Sequence, residues 1–252
     1  MTPIESVPIY LNWTFWAVII ATLALFLSQL LPLRELLKGA KLDLDVYSRI
    51  PITHKVGNPN IQVHLVLRNI GGKSIKIRRA IIALKREGRE IASLPAQNYL
   101  INPNNVNSTI PFVSFSLRPK EDWAYLVNFL NYFSRENEKN YRAAESALKE
   151  RIVQIRNLPE HREEVAEAED DYVRPFSEIF NELFVWQAGE YEMQIRVYTD
   201  PSKAAIQKTY RFTLFESDSN SLKKHKDFYK TGEGIYWGSD HVTGIVVQIV
   251  GV

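Results

Sequence analysis

The chain has 252 residues, 45% of them hydrophobic and 24% charged, with a formal net charge of +2. These values exclude a disordered tail, a collagen-like repeat and a strongly basic nucleic-acid wrapper, and the length suffices for one or two domains with a real core. With no cysteine there is no disulfide framework, no thiolate zinc site and no cysteine nucleophile.

The first predicted element is a transmembrane helix over residues 13–33, preceded by a short extracytoplasmic segment, 1–12. The run WTFWAVIIATLALFLSQLLPL carries no formal charge. As a helix it covers about 30 Å, the thickness of a bilayer's hydrocarbon core. Tyr10, Trp13 and Trp16 sit where an aromatic belt is expected, Phe26 lies within the span, and Arg34 and Lys38 follow it. A cleaved signal peptide fits poorly, because residues 1–12 hold no basic residue. The positive charges after the span predict an outside N-terminus and a cytosolic body at a bacterial inner membrane.

From Lys41 the period changes to that of strands. KLDLDVY, IQVHLVL and SIKIRRAIIAL alternate or run apolar, with Asn69-Ile70-Gly71-Gly72 and Glu87-Gly88 as turns. IPFVSFSL closes a first strand-rich part, 41–118. Residues 119–187 read as helices: Trp123, Leu126, Leu130 and Phe133 fall at helical spacing, and acids occupy the first turn. Strand pattern resumes over 188–215 with GEYEMQIRVY and IQKTYRFTLF. Residues 216–252 read as a polar linker and a terminal strand, VTGIVVQIV, which either completes its own sheet or adds to a neighbour's edge.

The predicted fold class is therefore mainly β with an α insertion. Two patches resemble an immunoglobulin-like antiparallel sandwich of bacterial membrane-anchored proteins: IQVHLVLRNIGGKSIKIRRAIIAL, and Gly189-Glu190-Tyr191. The resemblance implies that Tyr191 forms a tyrosine corner, hydrogen-bonding back to the preceding connection. It also implies that Met193 takes a core position opposite Val63 or Leu65. The chain departs from that pattern in lacking the disulfide and in its long helical insertion between two strands. A sandwich of this kind implies no particular activity.

Long insertions often bind something. Tyr125, Phe129, Tyr132, Phe184 and Trp186 are accordingly the partner-binding candidates, with internal packing as the competing reading. Residues 34–118 hold 14 Lys/Arg against 5 Asp/Glu, and residues 119–252 hold 17 against 23. The basic excess is densest at Lys73, Lys76, Arg78, Arg79, Lys85, Arg86 and Arg89. It suits an anionic lipid surface better than a nucleic acid, although solubility alone explains such charge.

The acidic run Glu160–Asp171, with His161, Glu163 and Glu167, shows no metal-ligand spacing, and no metal or cofactor is expected. Ser239-Asp240-His241 has the residue types of a hydrolytic triad, but neighbours on an extended chain point to opposite faces. No phosphate loop, nucleophile elbow or zinc-helix motif is present. The expectation is a non-enzymatic, membrane-anchored scaffold that recruits a protein partner or assembles with itself. The alternatives are a pore-forming effector subunit, for example of a bacterial defence system, and a membrane-bound hydrolase.

Overall fold

A computed structural model describes residues 13–101, 108–158 and 165–252, with side chains throughout these except at 29–37. The first element, α1, is Trp13–Leu37. Its hydroxyls bond to their own helix, Thr22 Oγ1 to Val18 O and Ser28 Oγ to Leu25 O. Trp13, Trp16 and Phe26 are exposed. Tyr10 lies outside the described residues, as does the side chain of Arg34. Among the described residues no helix is long and apolar enough to cross a membrane. This corrects the predicted transmembrane anchor, the single-pass topology and the inner-membrane location.

Among the described residues the body is one antiparallel sheet of twelve strands. In chain order these are β1 (Leu42–Val46), β2 (Arg49–Lys55), β3 (Asn58–Asn69), β4 (Ile75–Arg86), β5 (Arg89–Leu100), β6 (Thr109–Pro111), β7 (Phe115–Leu117), β8 (Asp122–Leu130), β9 (Gly189–Asp200), β10 (Ile206–Leu214), β11 (Ile245–Gln248) and β12 (Val250–Gly251). Three further helices are α2 (Arg135–Arg156), α3 (Asp170–Leu183) and α4 (Glu216–Lys223).

The sheet runs β11-β2-β3-β8-β5-β4-β9-β10-β12, with β1 on β3, β6 on β5 and β7 on β4. A sandwich would need two separate sheets. Here β5 pairs with β4 from Arg89 to Pro95 and with β8 from Ala96 to Leu100, the register slipping between Ala96 and Asn98. Such an irregularity bends a strand and increases its twist. One strand thus serves both halves, and the sheet curls into a nearly closed barrel. The predicted two-sheet immunoglobulin-like sandwich is corrected accordingly.

The stretch predicted as helix over Glu121–Arg135 is mostly strand β8. Its apolar residues fit both periods, since Trp123, Tyr125, Val127 and Phe129 alternate as well. Two open edges decide the matter. Phe129 lies opposite Ile61 on β3 and Val127 opposite Val63, while β5 flanks the other side. Helix begins only after Ser134, whose hydroxyl accepts the Asn137 N–H at 3.1 Å as an N-cap.

Two cores result. The barrel interior holds Leu44, Ile52, Val63, Leu65, Ile82, Phe129, Trp186, Met193 and Ile195, all fully buried. Each such aliphatic side chain contributes about 1.5–3 kcal/mol relative to exposure. A second cluster gathers Tyr141, Leu148, Ile152, Phe176, Phe180 and Tyr229 beneath α2 and α3. The β2–β3 turn reaches into it: Val56 is buried there, and Gly57, at φ 83°, leaves no room for a Cβ, which would meet Phe180 O at 2.6 Å. Tyr191 anchors the entry to β9. Its hydroxyl lies 2.6 Å from Gln187 O and 2.9 Å from Val185 O, and burial raises its pKa.

Candidate functional site

The barrel has a seam where its first and last strands meet. β1 and β2 lie end to end along one edge of β3, pairing with Leu65–Asn69 and Asn58–Ile61 respectively. Beside β1 the seam is shut. Lys208 Nζ reaches Asp43 at 3.8 Å, and Tyr210 is buried there. Burial, reinforced by the charges of Asp45 and Asp43, pushes the Tyr210 phenol up to about 12.

Beside β2 the seam splays, and the C-terminal segment crosses it. β11 pairs with Arg49–Ile52, Ile249 turns inward with its N–H on Ser48 O at 2.8 Å, and β12 lands on β10 opposite Tyr210 and Arg211. Gly244 permits the approach, because a Cβ there would sit 2.5 Å from Ile52 O. A wedge of about 390 Å³ remains between β11 and the end of β10, lined by Glu190, Arg211, Thr213, Phe215, Val246 and Val250 among others.

Phe215, Val246 and Val250 are 65%, 63% and 63% exposed around this wedge. β12 is only two residues long, so among the described residues no strand is hydrogen-bonded to Phe212–Leu214 on the seam side, where β11 lies beside β10 without pairing to it. The Val252 N–H bonds to Thr209 O at 3.0 Å, so the main chain of Thr209 faces the tail. Strand alternation turns the N–H and C=O of Thr213 the same way. The wedge therefore offers directional main-chain groups beside apolar side chains. An extended polypeptide satisfies both.

The five aromatic partner candidates do not converge. Phe129 and Trp186 are core residues, and the Trp186 indole N–H donates to Thr53 O at 2.8 Å. Phe184 stacks on Phe180 at 4.7 Å, and Tyr125 packs half-buried against Tyr99 and Trp123. Tyr132 alone of the five is largely exposed, at 73%. A docking helix carrying Tyr125 and Phe129 is thus corrected: both lie on β8 with side chains toward the interior.

Two residues of the basic patch are paired with acids across the β4–β9 ladder and two more lie against tyrosines. Arg78 pairs with Asp200 at 2.8 Å, and Lys85 with Glu192 at 3.3 Å. Arg79 covers the Tyr198 ring at 4.4 Å, and Arg86 lies beside the Tyr191 hydroxyl. Lys73 and Arg89 are exposed and Lys76 is half-buried. The end of the acidic run finds cations elsewhere, Glu169 on Arg151 and Asp170 on Lys230 at 2.8 Å. His161 and Glu163 lie outside the described residues. Among the described residues no cluster of His, Asp and Glu could hold a metal ion.

Ser239 and His241 do meet, together with Glu233, which is 3% exposed. Ser239 Oγ donates to Glu233, and His241 Nδ1 lies 3.2 Å from that carboxylate and 3.3 Å from Ser239 Oγ. Both contacts fall on one ring nitrogen, so the imidazole cannot stand between serine and acid as a triad requires. Ser239 instead caps a short 3-10 turn, accepting the His241 N–H at 3.0 Å.

Sequence reasoning missed a pair of buried histidines. His54 and His225 face each other with ring centroids 4.8 Å apart beside a cavity of about 310 Å³. His54 Nε2 lies 2.9 Å from Leu222 O, and its Nδ1 accepts the Gly57 N–H at 3.1 Å, an arrangement that needs the neutral ring. Burial, assisted by the neighbouring His225, lowers the His54 pKa to about 4. Burial lowers that of His225 too. No protein-family model matches the chain, and neither a curated protein nor a solved structure does so.

Proposed function

We propose that this chain is a non-enzymatic interaction protein that captures an extended segment of a partner, or of another copy of itself, at the barrel seam. One observation carries the reading: among the described residues the β10 edge from Phe212 to Leu214 has no hydrogen-bonded strand on its seam side and is bordered by exposed Phe215, Val246 and Val250. Unpaired edges in soluble proteins are usually blunted by charge, proline or a covering loop. Here exposed apolar side chains flank the edge alongside the charged Glu190, Arg211 and Asp218. Main-chain pairing would supply affinity, and the apolar wedge would select alternate side chains of the incoming strand.

Sedimentation of the full chain, with crosslinked capture from native extracts, tests the proposal when repeated on Thr213→Pro. Proline removes the seam-facing N–H, yet proline is tolerated at an edge position whose N–H makes no ladder bond. The expected result is loss of the self-associated or captured species with an unchanged circular dichroism spectrum. Association that persists undiminished in both Thr213→Pro and Val246→Lys would refute the seam as the binding edge.

A further inference from the structure

A second site lies at the junction of β8 and α2. A cleft of about 500 Å³ there includes Asn58, Asn60, Asn131, Tyr132, Phe133 and Tyr141 in its lining. It continues past Tyr132 into another of about 470 Å³ that shares Asn58, Asn131, Tyr132 and Phe133. The exposed Tyr132 ring stands where the two meet.

The amides lining this cleft are held in place and keep acceptor capacity. Asn58 spends an N–H on Asn131 O at 2.8 Å, and Asn131 spends one on Ser93 O at 2.9 Å. These bonds fix the direction of both amides and leave both carbonyl oxygens for a ligand. Asn60 Oδ1, in the floor of the cleft, is buried with no hydrogen-bond partner. The support is firm on both sides of Tyr132: Gln97 Nε2 donates to Leu130 O at 3.1 Å, and Ser134 caps α2.

The charges around the cleft are balanced, with Lys55 and Arg142 against Glu138 and Glu145 in its lining. Arg142 pairs with Glu138 at 2.6 Å and Lys149 with Glu145 at 2.9 Å, while Lys55 lies 4.9 Å from the centre of the Tyr141 ring. A carboxylate or phosphate would face the Glu138 and Glu145 carboxylates as well as the asparagine carbonyls. A cation would meet Lys55 and Arg142. A neutral molecule that donates several O–H bonds and has one apolar face meets neither objection, and a sugar ring combines those properties.

We infer that the Tyr132 cleft binds a neutral carbohydrate, with the pyranose face against the Tyr132 ring and hydroxyls donating to the asparagine carbonyls. Aromatic side chains combine an apolar face with little conformational freedom to lose, and a pre-set cleft reduces the entropic cost of binding.

The test is isothermal titration of the full chain with neutral oligosaccharides of glucose, mannose, galactose and N-acetylglucosamine, each up to roughly 10 mM. Hyaluronan oligosaccharides provide an anionic comparison. Saturable binding of at least one neutral sugar is expected, weakened by about tenfold or more in Tyr132→Ala and largely retained in Tyr132→Phe. Because Tyr132 is exposed, neither variant disturbs the core, and the Phe variant separates loss of the ring from loss of the hydroxyl. Absence of binding across the neutral panel overturns the inference. So does a preference for the anionic sugar, or equal affinity in wild type and Tyr132→Ala.

Discussion

The barrel interior and the layer beneath α2 and α3 bury apolar side chains by different means. In the barrel, aliphatic residues from neighbouring strands close over one another, and the ladders around them satisfy the main chain. Under the helices, aromatic rings do much of the filling: Tyr141 meets Phe176 edge-on, and Phe176 meets Tyr229. Their hydroxyls must then find partners. Tyr141 donates to Ile235 O at 2.6 Å, whereas the Tyr229 hydroxyl is buried with none. A sheet that curls on itself can be packed almost without polar atoms. Helices laid on its outside, held by a few long side chains, carry more polar groups and a softer interface.

The largest expected effect sets one core against the other. Trp186→Ala removes a fully buried indole and orphans Thr53 O, and should cost about 3–5 kcal/mol, enough to open the whole barrel. Phe176→Ala should fall at the lower end of that range. Native-state hydrogen exchange distinguishes them: Phe176→Ala should accelerate exchange in α2 and α3 while β9 stays protected. Equal acceleration in β9 and α2 would show that the cores unfold as one unit.

An intermediate effect concerns His54, which packs against Phe180 and Phe184 where the two cores adjoin. Unfolded His54 takes up its proton near 6.5, but the folded ring resists until about 4. Between those values the unfolded state binds more protons, so stability falls as the pH is lowered. The contribution is complete above about pH 6.5 and lost by about pH 4, amounting to about 3 kcal/mol. His225 acts with the same sign. Urea unfolding at about pH 7 and about pH 4 should show this loss in wild type and a flatter response in His54→Gln.

The smallest effect isolates one hydroxyl. Tyr229→Phe should leave stability unchanged or raise it by up to about 1 kcal/mol, since it removes a buried donor without a partner. Tyr141→Phe should cost about 1 kcal/mol by deleting the bond to Ile235. Comparable losses in both would mean that Tyr229 is satisfied in solution, and the distinction between the cores would narrow.

Where two faces of a strand differ, the sequence was readable. Alternation in GEYEMQIRVY places Tyr191, Met193, Ile195 and Val197 inward, as the burial of β9 shows. The failure at Trp123–Phe129 has a physical source. Local spacing satisfied both periods, and the choice was made by β3 and β5, which are remote in sequence. The same holds for the candidate site. No local signal announces that residues 245–252 cross from β2 to β10, nor that His54 faces His225. Tyr132 was named for its aromaticity. The asparagines around it carry no sequence motif, because Asn58 and Asn131 become neighbours only through the β2–β3–β8 arrangement.

The crossing of the seam by β11 and β12 also has a kinetic side. β2 forms early in the chain, yet its outer edge is covered by β11, which is synthesised only when nearly all the rest has emerged. During translation that edge stands open longer than almost any other part of the sheet. Contacts so distant in sequence slow folding through the entropy of closing the intervening chain, and exposed edges invite mispairing meanwhile. Closing this side of the barrel therefore waits on the most sequence-distant strand pairing in the sheet. The segment that performs it also borders the wedge offered to an incoming strand, so an unfinished seam and an available one present much the same surface.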